Sequence, residues 1–160
     1  MIHFDIAQKG TDTILTINGA LNENAQFPNF PNPIGGRLVI DLEGVTMINS
    51  LGCRTWSQWL NKINAKNGVA LQRCSPPVVH QLNVLSGFIG PNAVVESAFV
   101  TYYCDSCGAT EKVLVPLGAG IKSIDQIKLD ETMICPVCSA LMELEVSPER
   151  YFTFVARRAA

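Results

Sequence analysis

The sequence predicts an α/β chain, in which a mixed β-sheet with helices packed on one face precedes a small β-rich unit built around cysteines. Three observations carry that expectation. Apolar, strand-like runs alternate with runs of helical period across residues 1–100. Four of the six cysteines form two C-x-x-C pairs in the final 57 residues. The composition, 48% hydrophobic and 16% charged with a net charge of -2, is that of a folded chain and excludes a disordered tail or a basic nucleic-acid arm.

Ile2, Phe4 and Ile6 alternate with polar residues, and DTILTIN at 12–18 is rich in β-branched types, so two strands joined by a turn at 9–12 are expected, an opening hairpin. FPNFPNPIGG at 27–36 holds three prolines and two glycines, too many missing donors and free torsions for a regular helix, and reads as a loop. LVIDL at 38–42 is apolar except for Asp41 and short, which predicts a buried central strand. After Gly44 and a second apolar stretch at 45–48, Trp56, Trp59, Leu60 and Ile63 fall at i, i+3, i+4 and i+7, one face of a helix. Asn67 and Gly68 stop it, and VALQRC at 69–74 supplies another strand. Ser75, Pro76 and Pro77 open a further helix with a capping residue and a proline in the first turn. Residues 93–103 read as one extended segment running into Cys104.

Charge does not divide the chain: residues 1–100 carry six basic and six acidic side chains, residues 101–160 six and eight. Cysteine usage does, giving units at 1–100 and 101–160 with a boundary near 100–103. No Pro/Gly/Ser-rich linker stands there, so the units are expected to dock. Neither half is basic, and the one basic cluster is Arg157 with Arg158, which disfavours nucleic acid as a partner. No apolar run approaches the roughly 20 residues that cross a bilayer, and residues 1–10 lack the basic start and apolar stretch of a signal peptide. A cytoplasmic protein with reduced thiols is expected.

The run LVIDLEGVTMINSLG at 38–52 resembles the signature of STAS domains, the group that includes bacterial anti-sigma factor antagonists, in which an apolar strand with Asp leads to an Asp-Ser-x-Gly turn and a helix. Gly19-Ala20-Leu21 matches the Gly-x-Leu after the second strand, Asn67-Gly68-Val69 the break before the next strand, and SPPV at 75–78 with LSGF at 85–88 the last signature stretch. The resemblance covers residues 1–100. It implies a protein partner such as an anti-sigma kinase, and a phosphorylated serine at the position of Ser50. A helix start suits an anion, because its unpaired amides and dipole point there, and a phosphate would add about -1.5 to -2 charges on a face buried by the partner.

Asn49 stands where the family has Asp, and Leu51 where Ser or Thr is frequent; Gly52 keeps the pattern. An amide still caps a helix, whereas phosphotransfer loses the carboxylate beside the hydroxyl. Ser50 has the competing role of a simple N-cap, since no Glu or Gln stands at 53 to complete a capping box. Residues 22–36 make a turn or two at most where the family has a helix, so that part of its surface is expected to be remodelled or covered by the second unit. Trp56 and Trp59 are expected to pack the helix on the sheet, with a partner interface as the rival role. Cys53 and Cys74 read as buried small hydrophobes, and His3 and His80 as surface or cap residues.

Cys104-Asp-Ser-Cys107 and Cys135-Pro-Val-Cys138 are separated by 27 residues. Each C-x-x-C brings two thiolates to one side of the backbone, and two such knuckles complete the tetrahedron that Zn2+ accepts. EKVLV at 111–115, LMELEV at 141–146 and YFTFV at 151–155 read as three strands around them, a unit that resembles a zinc ribbon. Four protein ligands leave no open position, so one structural Zn2+ is expected, and it offsets the marginal core of so short a unit. A thioredoxin-like redox pair would use one C-x-x-C at a helix start. No Ser-His-Asp, Cys-His or paired-carboxylate set and no Gly-rich phosphate loop stands out. The resemblance at 38–52 implies non-enzymatic signalling by protein binding; the alternative is a constitutive scaffold or oligomerisation module, for instance a homodimer, with the zinc ribbon contacting protein rather than nucleic acid.

Overall fold

The residues that alternate at the start of the chain pair as β1 (His3–Lys9) and β2 (Asp12–Leu21), antiparallel, with Gly10 at φ +63° in the turn between them. The computed structural model describes residues 1–118 and 120–159, and side chains as far as residue 157. β3 (Leu38–Ile48) pairs parallel with β2, β4 (Val69–Gln72) parallel with β3, and β5 (Ala93–Val95) parallel with β4, giving a mixed five-stranded sheet in the order β1-β2-β3-β4-β5. α1 (Ser50–Asn61) joins β3 to β4, and α2 (Pro76–Val84) joins β4 to β5. Both crossovers advance in the same direction across the sheet, so right-handed connections put both helices on one face.

Parity along the strands shows which face that is. Leu15 and Ile17 of β2, Leu38, Ile40 and Leu42 of β3, and Leu71 of β4 are fully buried in one cluster with Trp56 and Leu60 of α1 and Val78, Val79 and Leu82 of α2. Residues of the other parity carry ion pairs. Arg37 reaches Glu96 at 2.8 Å and Asp12 at 3.3 Å, Gln72 donates to Glu96 at 2.8 Å, and Arg73 binds Asp41 at 3.3 Å as well as Glu43. At partial exposure each pair stabilises by about 0–1 kcal/mol; Val39 and Ala70, of the same parity, are nonetheless buried.

Residues 22–37 contain no long helix, as expected from the prolines; Ile34 alone makes a bridge, to Ala65. The loop is folded onto α1. Phe27 stacks on Trp59 at 4.7 Å and meets Trp56 at 6.0 Å, and the Pro28 carbonyl accepts from Trp59 Nε1 at 2.9 Å. Aromatic contacts with α1 hold this loop, where cover by the second unit was an expectation.

The extended segment at 93–103 is broken once, at Glu96, into β5 and β6 (Ser97–Tyr103). β6 crosses residue 100 and is the centre of a second, antiparallel sheet ordered β7-β6-β9-β8, with β7 (Thr110–Pro116), β8 (Thr132–Ile134) and β9 (Leu141–Leu144). The two sheets are stitched together where β4 ends. Arg73 takes a left-handed φ of +54°, and Cys74 then bridges to Ala98, donating to Ser97 O and accepting from the Phe99 amide. One apolar cluster runs from Leu15 through Ala98 to Cys104, Cys135 and Met142, so the two sheets share a core.

The expected third strand at 151–155 is helical. α3 (Pro148–Tyr151) and α4 (Thr153–Ala159) fold back on α2, and the second sheet has four strands, β6, β7, β8 and β9. YFTFV alternates like a strand, but Ser147-Pro148 starts a helix ahead of it, and Asn83 of α2 fastens the corner. Its amide donates to Tyr151 O at 2.8 Å and its oxygen accepts the Phe154 amide at 2.9 Å. Phe152 and Phe154 are buried by this fold-back. Arg157, half of the basic cluster, donates to the carbonyls of Asn83, at 2.8 Å, and of Leu82, capping the end of α2, a position that favours a cation.

Candidate metal centre and helix-entry turn

Two loops of the second sheet close in the same way. After β6, the Cys104 amide donates to Ala109 O and the Gly108 amide returns to Cys104 O, at 2.9 and 2.8 Å. After β8, the Cys135 amide donates to Ala140 O and the Ser139 amide to Cys135 O, at 2.7 and 2.9 Å. The residue after each second cysteine must turn left-handed: Gly108 has φ +76° and Ser139 φ +66°. Only the first of these was legible, because glycine advertises the conformation and serine does not.

These turns bring the sulfurs of Cys104, Cys107, Cys135 and Cys138 within 4.8 Å of one another. Cys104 and Cys138 are 3.5 Å apart, Cys107 and Cys135 3.7 Å. Tetrahedral metal–thiolate bonds of about 2.3 Å would separate sulfurs by about 3.8 Å, so the cage fits a soft tetrahedral ion. Cys104 and Cys135 are buried in the shared core, whereas Cys107 and Cys138 are exposed. The Cys138 amide donates to the Cys135 sulfur; against desolvation, that bond and one from Val137 hold the Cys135 thiol down at about 7. At Cys107 the bond from the Ala109 amide favours the thiolate, but desolvation and the three neighbouring sulfurs outweigh it and push that thiol up to about 12. A metal must displace that proton, and its binding therefore weakens in acid.

At the other candidate site, the first turn of α1, the cap is Asn49 rather than Ser50. Asn49 Oδ1 accepts the Gly52 amide at 2.8 Å, and Ser50 is the first helical residue, exposed, with no hydrogen bond from its hydroxyl among the described residues. The amide side chain left Ser50 free by taking the capping role itself. Asn49 Nδ2 also donates to Glu23 Oε2 at 3.0 Å, and this bond holds the Glu23 carboxyl below its ordinary range. Nothing in the sequence marked Glu23, which lies 26 residues away. Gly52 is obligatory, since a Cβ there would stand 2.0 Å from Leu21 O. Leu51, next to Ser50 in the chain, and Met47, three residues before it, are 51% and 47% exposed.

Trp56 is fully buried, stacks on Phe88 at 5.4 Å and donates to the Phe88 carbonyl at 2.8 Å, which leaves it no surface for a partner. Trp59 is partly buried under the Pro-rich loop. Cys53 and Cys74 are buried and unpaired, and His3 and His80 are exposed. No described helix is long and apolar enough to cross a membrane. Compared with known proteins, the chain matches no family model, no curated protein and no solved structure.

Proposed function

We propose that this chain is a non-enzymatic bacterial regulatory protein of the cytoplasm, a STAS-like unit that binds a protein partner in the manner of anti-sigma factor antagonists, fused to a zinc-ribbon-like unit holding one structural Zn2+. The observation that carries the reading is Ser50: an exposed hydroxyl without a partner among the described residues, at a helix N-terminus, between exposed Leu51 and Met47. Exposed apolar residues close in the chain to one modifiable group offer a docking partner a surface that a phosphate would disrupt by desolvation and repulsion. The four-sulfur cage supports zinc through its donor set and spacing, and four protein ligands leave the ion no position for substrate or water.

A specific observation favours the second reading, a constitutive scaffold or homodimerisation module. The Glu23 carboxylate is bonded to Asn49, the residue that precedes Ser50 at the start of α1, so a phosphate on Ser50 would add like charge to the same helix start. Incubation with a cognate ATP-dependent kinase, followed by peptide mass mapping, separates the two. The switch requires the mass of one phosphate on Ser50, its loss in Ser50→Ala, and about tenfold weaker partner binding by Ser50→Asp, a change of about 1.4 kcal/mol. Labelling elsewhere, with partner binding unchanged in Ser50→Asp, establishes the scaffold.

A further inference from the structure

We infer that the outer face of the cysteine sheet is a second docking surface, for a protein segment that sets apolar side chains beside Lys or Arg. Ile134 and Leu141 are direct cross-strand partners in β8 and β9, and they point away from the core, since their neighbours Met133 and Met142 face inward, Met142 fully buried. They are 62% and 59% exposed, and Val137, at the tip of the adjoining knuckle, is 72% exposed. Tyr103, 43% exposed, extends the same face, because it pairs with Glu143, two residues along β9 from Leu141. Single exposed apolar residues mean little; Ile134, Leu141 and Tyr103 on one small sheet face, with Val137 on the adjoining knuckle and no ion pair on any of the four among the described residues, mark an interaction surface.

The rim says what binds. Tyr103, Asp105, Glu143, Leu144 and Glu145 line a shallow depression of about 300 Å3 next to the apolar group. Residues 129–147 contain Asp130, Glu131, Glu143 and Glu145 and no Lys or Arg, and residues 103–111 contain Asp105 and Glu111 and likewise no cation. Lys112 of β7, which shares this face through its pairing with Thr101, is engaged elsewhere: its Nζ lies 4.3 Å over the Phe99 ring and 3.3 Å from Glu43. A partner that brings basic groups to these carboxylates gains by complementarity, and an acidic one is repelled. β8 is the edge of its sheet, so an extended segment can pair with its backbone, while alternate side chains meet Ile134 and Glu143 on one face. This surface lies in the second unit and does not involve Ser50, so it stands apart from the switch.

The test uses the full metal-loaded chain and two labelled peptides read by fluorescence anisotropy, one of repeated Leu-Thr-Lys-Thr units and one of Leu-Thr-Glu-Thr units. The Lys peptide is expected to bind, and to bind more weakly as salt rises and shortens the Debye length. Ile134→Ser with Leu141→Ser, and separately Glu143→Lys, should each weaken it about tenfold, while Asp5→Lys on β1, an equal charge change, and Ser50→Asp leave it intact; metal content and melting temperature verify that each variant is folded. Equal binding of the two peptides, no binding of the Lys peptide, or wild-type affinity in Ile134→Ser with Leu141→Ser overturns the inference. So does concentration-dependent self-association that those two substitutions abolish, because the surface then belongs to a second copy.

Discussion

Asn49 joins two things with one side chain: its Oδ1 accepts the Gly52 amide at 2.8 Å, and its Nδ2 holds Glu23 Oε2 at 3.0 Å. The first bond caps α1 and the second sets a carboxylate over the same helix end. Asn49→Ala removes both and is expected to destabilise by about 1 kcal/mol. That corresponds to a fall in melting temperature of about 2–4 °C for a chain of this size, measured by calorimetry. Glu23→Gln leaves the cap in place and should change stability by less than about 0.5 kcal/mol.

The four-sulfur cage predicts one metal ion per chain by elemental analysis of reduced protein, with zinc as the ion proposed. Cys138→Ser removes an exposed ligand and should lower metal content sharply. Because Cys104 and Cys135 sit in the core that both sheets share, chelation is expected to loosen the cysteine sheet most and to lower the melting temperature of the whole chain as well. Hydrogen exchange reads this as lost protection in β6 to β9 first, followed by β4 and α2. A chelated protein with native protection throughout would contradict a structural ion.

Gly52 and Gly35 make a matched pair. A Cβ at Gly52 meets Leu21 O at 2.0 Å and Leu21 C at 2.4 Å, backbone atoms that cannot swing away, whereas a Cβ at Gly35 meets nothing within 4 Å. Gly52→Ala is expected to cost about 1–3 kcal/mol or more, by forcing α1 away from the end of β2. Gly35→Ala should be neutral or slightly stabilising, by restricting the unfolded chain. Chemical denaturation midpoints for the two variants check both signs.

Burial pushes the Cys74 thiol up, with the nearby Asp41 carboxylate adding to the shift. In the unfolded chain that thiol titrates near about 8.5. Below that pH both states hold the proton and stability is unaffected; above it the unfolded chain releases the proton while the folded chain keeps it, so stability falls as pH rises, by at most about 1.4 kcal/mol per pH unit for this group. Tyr151, also pushed up by burial, adds the same dependence above about pH 10. Denaturation curves from pH 7 to about pH 10 should show a shallower decline in Cys74→Ala than in the parent chain.

Much of this arrangement was legible because its signals are local. The spacing of Trp56, Trp59 and Leu60 reports a helix face whatever it packs on, although α1 ends at Asn61, so that Ile63 and the stop expected at Asn67 and Gly68 lie beyond it; the paired C-x-x-C motifs are likewise local. The strand expected at 151–155 failed for a related reason. Alternation in YFTFV is a local strand signal, but Asn83, some 70 residues earlier, binds both sides of the Tyr151–Phe154 corner and selects a pair of helices. The cap at Asn49 differed from expectation through a one-residue shift in where α1 begins, which decided whether Ser50 was used or free.

By itself the sequence determined the alternation of strands and helices, the Pro-rich loop and the cysteine set, since propensity, period and ligand spacing are properties of neighbouring residues. Only the tertiary structure decided that β6 belongs to the second sheet while its first residues hydrogen-bond to the end of β4, that the two sheets share one core, that Glu23 reaches Asn49, and that Ile134 and Leu141 face outward beside Glu143. Those are relationships between residues that are not neighbours in the chain. Which of them form is settled by burying the most apolar surface with every buried polar side chain bonded, a condition on the whole molecule that no single stretch contains.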